Sequence, residues 1–317
     1  MLTNNLSTLG EVAETVEQMA TTHRDQLIRS DDIHFVNLEQ VVINGELHTV
    51  LPHAQRLISN RLGVPHQYIN RCPASLQAKN MNHWLGEQDD EKEFFVRFEN
   101  DAVRAVFSPR YKTIDNTDVI KKLNQLGFGA ETEVHAQIDP HFMSLSLPDE
   151  SKSFMVRRGD AITPGITISN SEIGLSSLKI EAFFLRLICT NGLIGKASVA
   201  SSFRHISKRV LEELPMILRN VSQEASIQAD QFKFSLESPV DHPMETFNSF
   251  NQKFLLDQPE KDAVAWGWDY EGNSENGISM FHILNSYTKA AQYPDLPAQS
   301  AYKLSKVGGE ILSMVHH

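Results

Sequence analysis

The feature that most constrains this chain is the stretch from Arg157 to Gly195, which places a cation inside an apolar strand. Two apolar runs, Ala161 to Ser169 and Leu178 to Cys189, are joined by a polar turn, and Asn191-Gly192 closes the second run. Apolar runs of this kind bounded by turn residues predict paired strands. Arg186 lies inside the second run. An unpaired charge there costs too much to keep, so Arg186 calls for a buried carboxylate such as Glu181 or Asp115. The alternative makes Arg186 the floor of a ligand site.

The remaining pattern supplies elements to pack against this pair. Leu6, Leu9, Val12, Val16 and Met19 recur at steps of three and four, predicting an N-terminal amphipathic helix. Strands are expected around Asn44-Gly45, and Leu51 to Ile69 reads as two short helices divided at Gly63 and Pro65. Phe94 to Phe98 and Val103 to Phe107 predict a hairpin about Asn100, with Arg97 and Arg104 on its outer face. A helix follows from Val119, capped by Asn116 or Thr117 and stopped by Gly127. Glu133 to Leu147 alternates as two further strands, and Ala197 to Gln231 has a helical period. Helical runs return near residues 244–256, 277–291 and 298–315. The expected fold is α+β: an antiparallel sheet core packed by a long helix, with additional N-terminal and C-terminal helices. Its expected divisions are an N-terminal segment 1–50, an α+β core 51–235 and a mainly helical region 236–317.

The net charge of −11 argues against an overall basic protein, but the acidity is peripheral. Arg97 to Arg219 holds 16 basic and 14 acidic residues, whereas the flanks hold 13 and 26. A central cationic groove is compatible with that distribution. No apolar run reaches the roughly 18 residues that span a membrane, and Glu11, Glu14 and Glu17 stand where a leader would be basic and apolar; a cytoplasmic protein is expected. Cys72 and Cys189 form no Cys-x-x-Cys pair, and His135 and His141 lack a third ligand nearby, so neither metal nor cofactor is expected. Gly127-Phe128-Gly129 does not extend into a phosphate-binding loop.

Two sets of side chains stand out. Arg110, Tyr111 and Lys112 occupy a strand-to-helix corner and, with Arg104, Arg157, Arg158, Arg204 and Lys208, are candidates to contact phosphates, Tyr111 offering a stacking face. The structural alternative makes Tyr111 a corner plug and the cations solvated. His141, Asn170, Arg186 and Asn191 are candidates for the pocket of a hydrolase or transferase.

Several blocks in order resemble the phage/plasmid-like protein family known as domain of unknown function 932. They are Leu-Gly-Val-Pro at 62–65 with Tyr68, Asn-His-Trp-Leu at 82–85, Ser-Pro-Arg-Tyr-Lys-Thr-Ile-Asp-Asn at 108–116, Ile-Ser-Asn-Ser at 168–171, Arg-Leu-Ile-Cys-Thr-Asn-Gly at 186–192 and Asn-Ser-Tyr-Thr at 285–288. The resemblance extends over roughly residues 50–315 and implies an accessory protein of phages, plasmids or integrated conjugative elements; it carries no catalytic assignment. The resulting expectation is a homo-oligomer that binds single-stranded DNA or RNA in recombination or replication. The alternative is a protein that counters host defence by binding a host protein through its acidic flanks.

Overall fold

The strand pattern resolves into two sheets in the computed structural model, which describes residues 2–87, 93–157, 160–186, 191–194, 201–203, 216, 230–271 and 277–315. The first sheet runs in the order β1 (Leu2–Thr8), β8 (Glu133–Ile138), β9 (Met143–Pro148), β11 (Asp160–Asn170), β12 (Leu178–Arg186) and β13 (Asn191–Ile194). Strand β10 (Phe154–Arg157) adds to β11 and β14 (Ser201–Phe203) to β12, and every pairing is antiparallel. The second sheet runs β2 (His23–Arg29), β6 (Glu93–Glu99), β7 (Ala102–Phe107), β5 (Glu46–Val50), β4 (Gln40–Ile43) and β3 (Ile33–Phe35), with only β5 and β7 parallel.

The two apolar runs of the organising stretch do pair, from Ile162 opposite Arg186 to Ser169 opposite Lys179. Both are nearly continuously buried, polar residues such as Thr163, Thr167 and Ser169 included, because both faces of this hairpin are covered. One apolar cluster joins this sheet to α1 (Leu9–Ala20), α5 (Asn116–Gln125) and the C-terminal helices. Those helices are α6 (Pro243–Lys253), α7 (Gln258–Glu271), α8 (Met280–Ala290) and α9 (Ala298–Met314). A separate cluster joins the second sheet to α2 (Pro52–Arg61), α3 (His66–Ile69) and α4 (Ala74–Gly86). The fold is therefore α+β, with two sheets where one was expected. Its apolar packing does not divide at residues 50 and 235: residues 9–16 share a core with 114–312, and residues 28–106 form their own.

Other differences have local causes. Thr8 and Glu11 form a reciprocal cap, Thr8 Oγ1 accepting from the Glu11 amide at 3.3 Å and Glu11 Oε2 from the Thr8 amide at 3.0 Å. The helix thus begins at Leu9, and Leu6, although in phase with the stripe, belongs to strand β1. The N-cap of α5 is Asp115, one residue earlier than expected. Trp266 to Tyr270 lie within helix α7. Ser201–Phe203 forms strand β14, so the helix expected from Ala197 does not begin there; most of 197–231 lies outside the described residues. Among the described residues no helix is long and apolar enough to cross a membrane.

Candidate functional site

The turn between β11 and β12 is where the two sheets meet. Glu172 on this turn accepts from Arg104 Nη2 of β7 at 2.6 Å through Oε2, and from the Asn116 amide at the start of α5 at 2.8 Å through Oε1. Its main-chain carbonyl accepts from Arg97 Nη1 of β6 at 2.9 Å. Arg97 also donates to Asp25 of β2 at 2.9 and 3.1 Å and to Asp115 at 2.7 Å. Beside Glu172, Asn170 donates to the Ile114 carbonyl and to Asn116, each at 2.9 Å, and Ser171 donates to the His141 carbonyl at 2.7 Å. Gly174, at φ +80°, turns the chain where a Cβ would meet the Phe107 ring at 2.7 Å, so only glycine fits both backbone and space.

The electrostatics follow from burial and pairing. Burial pushes the Glu172 carboxyl upward, but Arg104 and the Asn116 amide outweigh it and hold it below the ordinary carboxylate range. Asp115 is raised, burial prevailing over the adjacent Arg97. Burial, with the Arg104 guanidinium beside it, lowers His23 and keeps it neutral, so that its Nε2 accepts from Arg104 Nη1 while Nδ1 faces Glu172 at 3.5 Å.

This geometry relocates several expected site residues. Arg97 and Arg104, expected on an outer hairpin face, are 2% and 3% exposed, because the 171–177 turn and the start of α5 cover that face. Arg104 is thereby an ion-pair partner of Glu172, not a freely solvated phosphate contact. Tyr111 stacks on Phe107 at 3.8 Å and 5°, so one face of the intended stacking platform is already taken, and burial raises its phenol well above the ordinary value. Arg110 and Lys112 flank it and are exposed. Arg157 stands in β10 opposite Asp160. Arg158, Arg204 and Lys208 lie outside the described residues.

The four residues suggested for an enzyme pocket do not converge. Asn170 is 0% exposed and engaged in the clasp, whereas His141 is exposed. Arg186 lies at the far end of β12, opposite Asn191. It is 4% exposed and paired with neither Glu181 nor Asp115; it donates to Asp160 at 2.9 Å and to Glu271 of α7 at 2.9 and 3.0 Å, with the Phe281 ring 4.8 Å from its guanidinium carbon. A doubly partnered buried guanidinium orders a corner of the sheet against the C-terminal helices.

Against the clasp lies a cavity of about 290 Å³, lined among others by His53, Arg56, Arg104, His141, Ile173 and Gln299. His53 Nε2 donates to the Ile173 carbonyl at 2.7 Å, and burial lowers its pKa, so Nδ1 is an acceptor at neutral pH. Neither His53 Nδ1 nor Arg104 Nε has a hydrogen-bond partner. Arg56 is exposed at the rim. Sequence reasoning passed over His53 and Arg56, since a cation and an imidazole on a short helix carry no signal until the 171–177 turn is placed beside them. A larger cleft of about 580 Å³ adjoins, sharing Leu175 and Gln299. Among the described residues no three His, Cys, Asp or Glu side chains form a metal-binding group.

A family described as a domain of unknown function, DUF932, matches residues 103–233. This stretch of the chain belongs to that family. The DUF932 stretch begins in β7 and contains Arg104, Asp115, Asn116 and Asn170 to Glu172 of the clasp, whereas Asp25 and Arg97 lie before it. The blocks at 62–65, 82–85 and 285–288 lie beyond it. No curated protein and no solved structure matches the chain.

Proposed function

We propose that this DUF932 protein binds single-stranded nucleic acid at the junction of its two sheets, self-associating as it does so, in the recombination or replication of a mobile element. The observation that carries this reading is the cavity beside the clasp, where an unmatched donor, Arg104 Nε, and an unmatched acceptor, His53 Nδ1, stand behind the exposed cation Arg56. A sugar hydroxyl or a base edge satisfies both, while the exposed Arg56 supplies the phosphate contact. Arg110 and Lys112 are exposed on the neighbouring corner, which Tyr111 ties to the clasp by donating to the Glu172 carbonyl at 3.5 Å. Self-association is supported by Leu6 and Leu27, which are exposed on the edge strands β1 and β2 of the two sheets.

The test is a fluorescence-anisotropy titration of purified protein with labelled single-stranded DNA and RNA at several salt concentrations. Binding is expected to weaken steeply with salt, with a log–log slope of about −0.7 per phosphate engaged. Replacing Arg56, Arg110 and Lys112 together by Glu is expected to weaken it by at least about tenfold. No binding of either nucleic acid at low salt overturns the proposal.

A further inference from the structure

The larger cleft holds an arrangement that nucleic-acid binding does not use. Lys179 of β12 and Lys306 of α9 approach the same aromatic ring, their Nζ atoms 6.0 and 5.7 Å from the Tyr302 centroid. The Tyr302 hydroxyl donates to the buried Glu181 carboxylate, and Lys306 Nζ donates to the other oxygen of that carboxylate at 2.7 Å. One carboxylate thus serves Lys306 and Tyr302 at once. Lys179 has neither a hydrogen bond nor an ion pair with a described residue, and its stem is half-buried in the cleft wall.

We propose that Lys179 is a reactive amine that condenses with a carbonyl compound bearing an anionic group. The structure provides the three things such chemistry requires. First, burial and then the neighbouring Lys306 charge disfavour a proton on Lys179 and outweigh the opposing pull of the Glu181 carboxylate, so a larger share of it is neutral amine than in an exposed lysine. Second, the cleft of about 580 Å³ has room for a small substrate. Third, proton carriers stand alongside. The neutral Lys179 nitrogen attacks the carbonyl carbon, forming the C–N bond as the C=O electron pair moves to oxygen, which takes a proton from the Lys306 ammonium; one of the two protons on the added nitrogen then passes through Glu181 to the Lys306 amine, leaving a neutral carbinolamine. Its hydroxyl takes a second proton from the restored Lys306 ammonium and leaves as water while the nitrogen lone pair forms C=N, and the remaining N–H proton returns to Lys306 by the same route. Carbonyl and amine give imine and water, with no redox partner needed. Tyr302 is a positioning residue: its ring lies beside the Nζ atoms of Lys179 and Lys306, and its hydroxyl fixes Glu181. The anionic group of the substrate answers the Lys303 and Lys306 ammonium groups that line the cleft with Lys179.

Pyridoxal 5′-phosphate, an aldehyde with a phosphate, is a suitable probe. The full chain is incubated with it near neutral pH, reduced with borohydride, digested, and analysed for labelled lysines by mass spectrometry. Lys179 is expected to be labelled about tenfold faster than the exposed Lys112. In Lys306→Met the Lys179 advantage is expected to shrink several-fold, because the like charge that favours its neutral form is gone. Tyr302→Phe retains the ring and is expected to slow labelling less than Tyr302→Ala does. Labelling of Lys179 at or below the Lys112 rate in the unmodified protein overturns the proposal, and this comparison does not depend on any variant folding.

Discussion

Arg104 on β7 and Glu172 on the turn leaving β11 meet at 2.6 Å, one residue from each sheet, and around this contact the two apolar cores are joined. The other Glu172 carboxylate oxygen accepts from the Asn116 amide at 2.8 Å, and His23 Nδ1 lies 3.5 Å from the oxygen that Arg104 holds.

Glu172→Ala leaves Arg104 buried without its carboxylate and the Asn116 amide without its acceptor. A loss of about 3–5 kcal/mol is expected, read as a lower denaturation midpoint. Glu172→Gln, which keeps an acceptor, is expected to lose less. Equal midpoints for wild type and Glu172→Ala contradict the clasp.

Arg186→Met strands Asp160 and Glu271 in the core, and a loss of about 3–5 kcal/mol is expected. Neutralising the stranded partners, as in Arg186→Met with Asp160→Asn and Glu271→Gln, is expected to recover part of it. If the triple variant is less stable than the single one, the guanidinium is not held there by these two charges.

Gly267 on α7 faces α8 so closely that a Cβ would lie 2.2 Å from the Ser286 carbonyl oxygen. Gly267→Ala is therefore expected to cost about 1–3 kcal/mol or more by forcing the helices apart. Gly129→Ala, where nothing stands within 4 Å, is expected to change stability by less than about 0.5 kcal/mol. Thermal unfolding of the pair checks the helix contact directly.

His135 on β8 is held below the ordinary histidine pKa by burial, so the folded chain keeps it neutral where the unfolded chain binds a proton. Its contribution to stability is complete above about pH 6.5 and is lost as pH falls from there toward the depressed folded value. His135→Gln is expected to flatten the decline of the denaturation midpoint between about pH 7 and pH 5. A variant that declines as steeply as wild type rejects this assignment.

Much of the local structure was legible from residue order. The β6–β7 hairpin turns at Asn100, whose φ of +50° suits an asparagine, and the run Ala161–Ser169 and the described part of the second run, Leu178 to Arg186, appear as β11 and β12. The missed elements were those in which one pattern served two structures, as where Leu6 continues the stripe of α1 yet lies in β1. The site was less legible. Arg97 and Arg104 follow the alternation of an exposed face, and nothing local announces that a turn some seventy residues later will cover it.

By itself the sequence determined the strand and helix periods, the caps and turns, and the requirement that Arg186 have a counter-charge, because these depend on neighbours within a few residues. Only the tertiary structure decided that the counter-charges are Asp160 and Glu271, 26 and 85 residues away, and that Glu172 serves Arg104. The physical reason is that burial creates the demand for a partner at one position, whereas the partner is chosen by which elements the apolar cores bring together. A carboxylate at any distance along the chain meets the demand equally well until the sheets and helices pack.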